Sequence, residues 1–336
     1  MKNPERDSNI PTLLSLPEDV LRKILEKSDY CAVQTLRKTC RDLRNFIDDV
    51  TPDPCVVTLY IVVLLNSINF TLRFSNSEEL LILEYHAGCK IVKKKLDSQK
   101  EYFLDDQNYI DVFFNDLEIL MNCSKNQKTP IDSIQFCGGN TEFFEKMGSY
   151  NPRDLLKVKK AKLIVSKESE AAGILKLMTS GTLKTIEIEN QWLDRSILQM
   201  AELPRMDQWR NAENVDIFRF DVWSPRPFLH FRNVEAHIID LSPEDTVLIK
   251  ETLLKSTTFE RFQFHYSRLE YEVFDAIGPN PIIDEEDDYA PKRSWYFKNT
   301  ENPEKVLLIE STVLNKLMCF LSVNLSEVPE NVEILS

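Results

Sequence analysis

The chain has 336 residues, 43% of them apolar, and a formal net charge of −13 from 54 acidic and 41 basic side chains. That length allows a small module plus a larger body, and the acidic balance argues against general binding to phosphate backbones. Seven glycines with no Rossmann or P-loop spacing offer no phosphate cradle, and seven cysteines with no C-x-x-C pair exclude zinc ribbons, RING-type modules and thioredoxin-like chemistry.

The first residues, Met1 to Asp7, carry no apolar leader, and residues 1–11 read as a frayed polar tail. Unpaired cysteines and the missing leader place the chain in a reducing interior, cytoplasmic or nuclear. The longest apolar run, Val56 to Leu65, is about half of what a membrane-spanning helix needs and reads as a buried strand.

Three short helices are expected next. Pro17 suits a first helical turn because its missing N–H has no intrahelical partner there, and Glu18 and Asp19 complement the helix dipole. Val20, Leu21, Ile24 and Leu25 then share a face, with Ser28 and Asp29 as stop and cap. Val33, Leu36 and Cys40 mark a second apolar stripe, and Leu43, Phe46 and Ile47 a third, closed by Thr51-Pro52-Asp53-Pro54. From 55 to 107 the period changes to two. Strands are expected at Val56–Val63, Ile68–Phe74, Leu80–Tyr85 and Lys90–Lys94, forming an antiparallel meander.

Beyond 108 strands and helices alternate. A helix over Ile110–Asn122 precedes strands at Ser133–Phe136 and Ala161–Val165, then a helix over Glu168–Thr179 closed by Gly181. A strand at Leu183–Ile188 and a helix at Asp194–Ala201 follow. Further strands fall at Val215–Phe220, Ala236–Ile239 and Phe262–Phe264, with a helix started by Ser242-Pro243 running to Lys255. Strand centres recur every 22 to 30 residues or so, the signature of a leucine-rich-repeat-like αβ solenoid, here degenerate. A doubly wound sheet is the rival. After Ile277 the chain shows an acidic loop at 284–288, closing strands at Trp295–Phe297 and Val306–Ile309, and a final helix near Thr312–Leu321. The fold class is therefore α+β.

Catalytic and metal-binding patterns do not emerge. His86, His230, His237 and His265 lack ligand spacing and read as structural or surface residues. Cys137 reads as a small buried apolar group, and the acidic run lacks the alternation of a calcium loop. The lysines at 157, 159, 160 and 162, and those at 93–95, read as solubilising strand edges without interleaved aromatics for RNA.

Leu14-Ser15-Leu16-Pro17-Glu18-Asp19-Val20-Leu21, with Ile24-Leu25, Leu36-Arg37 and Cys40-Arg41-Asp42-Leu43-Arg44, resembles the F-box motif, here over 12–50. The remainder is similar to the expanded nematode F-box family with a C-terminal FTH domain (the F-box A family). Gln208-Trp209-Arg210-Asn211-Ala212, Phe228-Leu229-His230-Phe231, Ser242-Pro243-Glu244-Asp245 and Ser256-Thr257-Thr258-Phe259-Glu260 carry that likeness, within a body spanning 108–322. The resemblance implies a non-catalytic substrate-recognition adaptor of a Skp1–cullin–F-box ubiquitin ligase, with no cofactor, metal, membrane or direct nucleic-acid partner. It implies that Leu16, Pro17, Val20, Leu21, Ile24, Leu25, Leu36 and Cys40 meet Skp1, that a cullin joins through Skp1, and that the body binds an unidentified target protein. A non-degradative scaffold for a regulatory or RNA-binding protein, or an enzyme on an α/β body, stay open as alternatives.

Overall fold

The strict alternation from Ile68 to Phe74 sends successive side chains to opposite faces of a strand, and in the computed structural model it forms one. The structure describes residues 13–77, 80–88, 90–95, 98–104, 107–284 and 292–335. The polar tail 1–11 and most of the acidic run 284–288 lie outside the described residues. The chain divides into two units, one of residues up to 60 with 66–131 and 151–157, the other of 61–65, 132–150 and 158 onward. It is mixed α/β, with nine α-helices and seventeen strands among the described residues.

The first unit holds α1 (Glu18–Lys27), α2 (Tyr30–Arg37) and α3 (Arg41–Val50), then β1 (Val56–Val63) as far as Tyr60, β2 (Ser67–Phe74), β3 (Leu80–His86), β4 (Lys90–Lys95), β5 (Ser98–Phe103) and α4 (Tyr109–Ser124). Strands β2 to β5 form an antiparallel meander in which Phe70 faces Leu83, Leu83 faces Lys93, and Lys93 faces Lys100. Helix α4, capped by the Asn108 side chain on Ile110 N–H at 2.8 Å, packs on it. Phe113 of α4 meets Phe70 and Tyr85 edge-on at 5.6 and 5.7 Å. The Tyr85 hydroxyl donates to Asp116 at 2.7 Å, and burial pushes the Asp116 carboxyl above its ordinary range. Strand β5 is not legible in the sequence, because Ser98–Phe103 is exposed throughout and has no apolar alternation. Its presence corrects the expectation for Lys93–Lys95, since β4 is flanked on both sides and is no edge.

The second unit runs through β6 (Ile131–Gly138), α5 (Thr141–Ser149), β7 (Val158–Val165), α6 (Glu168–Leu175), β8 (Thr185–Asn190), β9 (Ser196–Ile197), α7 (Asp207–Arg210), β10 (Asn214–Val222) and β11 (Asn233–Leu241). It continues with α8 (Pro243–Leu254), β12 (Arg261–Leu269), α9 (Glu272–Ile277), β13 (Ile282–Asp284), β14 (Lys292–Lys298), β15 (Lys305–Thr312), β16 (Leu317–Asn324) and β17 (Ile334–Leu335). Strands β7, β8, β10, β11 and β12 are parallel and lie side by side in chain order. The order never reverses along these five strands, whereas a doubly wound sheet reverses at a switch point. Strand β16 pairs antiparallel with β12, and β15 and β14 follow it. Ile186, Val215, Val234, Phe262 and Phe320 line up across five adjacent strands as one buried stripe.

Two expected helices are strands instead. Within Asp194–Ala201, Ser196-Ile197 is β9, paired with Phe220-Asp221 of β10, and backbone pairing outweighs local helical spacing. The segment Thr312–Leu321 is a hairpin. Lys316 takes a left-handed φ of 50°, turning β15 into β16, so Met318 and Phe320 are buried at period two. Helix α6 ends at Leu175, before the expected Thr179–Gly181 stop, and β8 starts two residues after the expected Leu183.

The loop between β9 and α7 is held by one buried carboxylate. Glu168 accepts backbone N–H groups of Ala201, Glu202 and Leu203 at 2.9, 2.7 and 2.9 Å. Gly138 has φ 82°, and a Cβ there would stand 2.5 Å from the Val63 carbonyl oxygen, so this close approach requires glycine.

Candidate docking site

Each of the three N-terminal helices is too short to persist alone, and their mutual packing stabilises them. Pro17 precedes α1 with φ −53°, and Arg22 returns to Glu18 one turn earlier at 2.5 Å. Asp29 caps α2 by accepting the Ala32 N–H at 2.7 Å. The Arg37 guanidinium grips Asp48 through two bonds, at 2.6 and 3.0 Å, and so ties α2 to α3. Leu25, Val33 and Ile47 form the buried cluster among these helices, with Leu36, Phe46 and Val50 packed against it.

This packing sorts the eight expected docking residues. Leu21 and Leu25 are buried, at 4% and 1% exposed, and Leu25 belongs to the interior of the module. Val20 is 42% exposed, and Ile24, one turn on, is half-buried. Pro17 is exposed and Leu16 half-buried at the start of α1, beside exposed Leu14. Val20 and Ile24 are four residues apart, so they share one side of α1, and Leu16 lies just before its N-cap. Leu36 lies at the C-terminal end of α2 against the cluster, and Cys40 is the exposed N-cap position of α3. Leu14, the first residue of the F-box-like motif and not among the eight expected docking residues, adds an exposed apolar side chain just ahead of Leu16-Pro17.

The residues behind the second resemblance build the second unit. Trp209 is fully buried, donates its indole N–H to the Pro227 carbonyl at 3.1 Å, and meets Phe231 edge-on at 5.0 Å. His230 Nε2 lies 3.1 Å from the Trp209 carbonyl, and burial holds its pKa below the ordinary value. Ser242 accepts the Asp245 N–H at 3.1 Å to start α8. Ser256 accepts the Phe259 N–H at 3.1 Å. These side chains form caps and core contacts.

Other candidates for chemistry resolve similarly. His237 Nδ1 stands 2.9 Å from Asp221, itself bound by Arg195 at 2.8 Å, and burial followed by the Arg195 charge pushes the imidazole pKa down. Burial also raises the Cys137 thiol. Among the described residues no three His, Cys, Asp or Glu side chains are placed to hold a metal ion. Three of the four clustered lysines form ion pairs, Lys159 with Asp132, Lys160 with Glu187 and Lys162 with Glu189, and Lys157 donates to the Lys125 carbonyl. No helix among the described residues is long and apolar enough to cross a membrane.

A different surface stands out at the C-terminal ends of β8, β9 and β10. Trp192, Leu193, Ile197, Phe218 and Trp223 are all exposed there, with Trp192 at 62% and Trp223 at 54%. The Arg219 guanidinium stacks over Phe218 at 5.0 Å. Exposed tryptophans beside arginines have the composition of protein-binding hot spots.

An F-box domain model matches residues 13–53, and an FTH domain model matches residues 141–277. No curated protein and no solved structure matches the chain significantly.

Proposed function

From the pairing of an F-box domain with an FTH domain in one chain, we propose that this protein is the substrate-recognition adaptor of a Skp1–cullin–F-box ubiquitin ligase. The single observation that carries the reading is the F-box match over a helical module that leaves Leu14 and Val20 exposed beside half-buried Leu16 and Ile24. An apolar strip on a short helical unit suits insertion into a partner groove. In this assignment Leu16, Pro17, Val20, Ile24 and Cys40 meet Skp1 directly. Leu21, Leu25 and Leu36 hold the helices that present them.

The second unit recruits the target. Its parallel strands in chain order support a degenerate leucine-rich-repeat-like body, and the exposed Trp192, Phe218 and Trp223 supply aromatic anchors. The adaptor contributes no nucleophile. It raises the rate of transfer by holding a target lysine near charged ubiquitin, a proximity effect.

The test is affinity capture of the full chain and of Val20→Asp from cells under proteasome inhibition. A Skp1-type adaptor should accompany the wild-type chain and fall at least about tenfold with Val20→Asp, since a charge in an apolar interface must be desolvated unpaired. A wild-type chain that captures no such adaptor refutes the function. Equal capture by a folded Val20→Asp refutes the docking face. Ubiquitination of the co-captured target separates the ligase adaptor from a non-degradative scaffold.

A further inference from the structure

The first unit contains a cavity of about 720 Å³ between α2, the meander and α4, a volume in the range of small-molecule sites. Its floor is apolar. Phe70, Leu72, Leu81 and Ile91 come from the inward positions of β2, β3 and β4, and Val112 and Ile119 from one side of α4. Its polar groups are unequal in sign. Lys38, Lys93 and Lys100 line it, and among the described residues none of the three makes an ion pair with a carboxylate. The two carboxylates present are engaged, Asp29 in capping α2 and Asp116 in accepting the Tyr85 hydroxyl, with the Lys38 charge also acting on Asp116 and leaving Lys93 and Lys100 as the uncompensated pair.

The strand register sharpens this imbalance. Lys93 and Lys100 stand directly opposite each other across β4 and β5, and like charges in that position repel unless an anion lies between them. Half-buried Lys93 and exposed Lys100 end the row Phe70, Leu83, Lys93, Lys100, which runs from the buried floor out to the solvent-exposed strand β5. Their aliphatic stems extend the apolar wall while the ammonium groups stay at the wetter end.

We propose that this cavity binds a single-chain amphiphile with an anionic head, a medium- or long-chain carboxylate. The alkyl chain occupies the floor between β2–β4 and α4. The carboxylate sits between Lys93 and Lys100, within reach of Lys38, where charge-assisted hydrogen bonds relieve the repulsion. Asp116 repels a second anion from the inner end, which sets the orientation of the ligand.

The test uses the full chain without any partner, so its outcome is independent of the ligase assignment. Laurate, 1-dodecanol and inorganic phosphate are titrated below the micellar range by calorimetry and native mass spectrometry. Laurate should bind one per chain, at least about tenfold tighter than dodecanol, and phosphate alone should bind far more weakly than laurate. Lys93→Gln with Lys100→Gln should bring laurate and dodecanol within about twofold of each other. Ser98→Trp, which fills the mouth from an exposed position on β5, should remove binding of both without lowering the melting temperature. Equal affinity for laurate and dodecanol in the wild-type chain overturns the anionic-head assignment. Laurate binding that survives both variants, or that never saturates, overturns the site.

Discussion

Truncating Leu25 to alanine isolates how the N-terminal helical module is held together. Leu25 is 1% exposed and packs in a cluster with Val33 and Ile47, so the truncation leaves a void that few neighbours can fill. Buried leucine-to-alanine changes cost about 2–5 kcal/mol, rising with the cavity that remains. Three short helices relax more readily than a large core, which places this change at about 3 kcal/mol. At 1.4 kcal/mol per tenfold, the module should open roughly a hundredfold more often. Hydrogen exchange on the intact chain reads this directly, because amides report the opening of their own cooperative unit. Protection in α1, α2 and α3 should fall by about that factor, with β7 to β12 unchanged. Val20→Ala, at a surface position, should move exchange by less than about threefold, within the roughly 0.5 kcal/mol of ordinary surface changes. Undiminished protection of α1 to α3 in Leu25→Ala would refute the assignment of this residue to the module's interior.

Three further outcomes follow from the second unit. Glu168→Ala strands three backbone N–H groups, and chemical denaturation should show a loss of about 3 kcal/mol, whereas Glu168→Gln, which keeps one acceptor oxygen, should lose less. Asp216 has its pKa raised to about 6 by burial first, then by Glu235 and Glu187. A native carboxyl that holds its proton more tightly than the unfolded one weakens the fold as pH rises from about 4 through 6. Asp216→Asn should therefore stabilise the chain at pH 7.5 by up to about 1 kcal/mol, allowing for solvent screening of this half-buried group, and the gain should vanish near pH 4 in paired urea melts. Gly138→Ala meets the Val63 carbonyl oxygen at a positive φ and should lower thermal stability, while Gly181→Ala, with open space around it, should not.

The parts legible in the sequence are those where one face of an element is buried and the other wet. Ile68–Phe74 alternates cleanly because β2 has α4 on one side, and Ser242-Pro243 announces α8 because the cap is local chemistry. Helix α5 was readable in principle, from Asn140 capping Phe143 N–H and the spacing of Phe143 and Met147, both buried. Strand β5 was not, since a fully exposed strand needs no apolar pattern and owes its existence to β4. Leu314, Leu317, Met318 and Leu321 mimic a helix, and only pairing with β12 and β15 makes Leu317–Asn324 a strand. At the candidate docking site, helical spacing located an apolar α1 without separating its two adjoining rows. Leu25 faces the neighbouring helices and Leu21 is buried, while Val20 and Ile24 lie toward the surface.

The chain-order pairing of β7, β8, β10, β11 and β12 has a consequence for how such a body can change over time. Neighbours in this series pair directly, β7 with β8, β8 with β10, β10 with β11 and β11 with β12, so that outside the two-residue β9 the connections contribute little to the ladder. Trp192 and Leu193 lie in the connection after β8, and Trp223 in the one after β10. Substitutions or insertions there leave the buried stripe from Ile186 to Phe320 untouched. A few loop substitutions can therefore change the side chains displayed at this edge, while the frame that displays them is inherited intact.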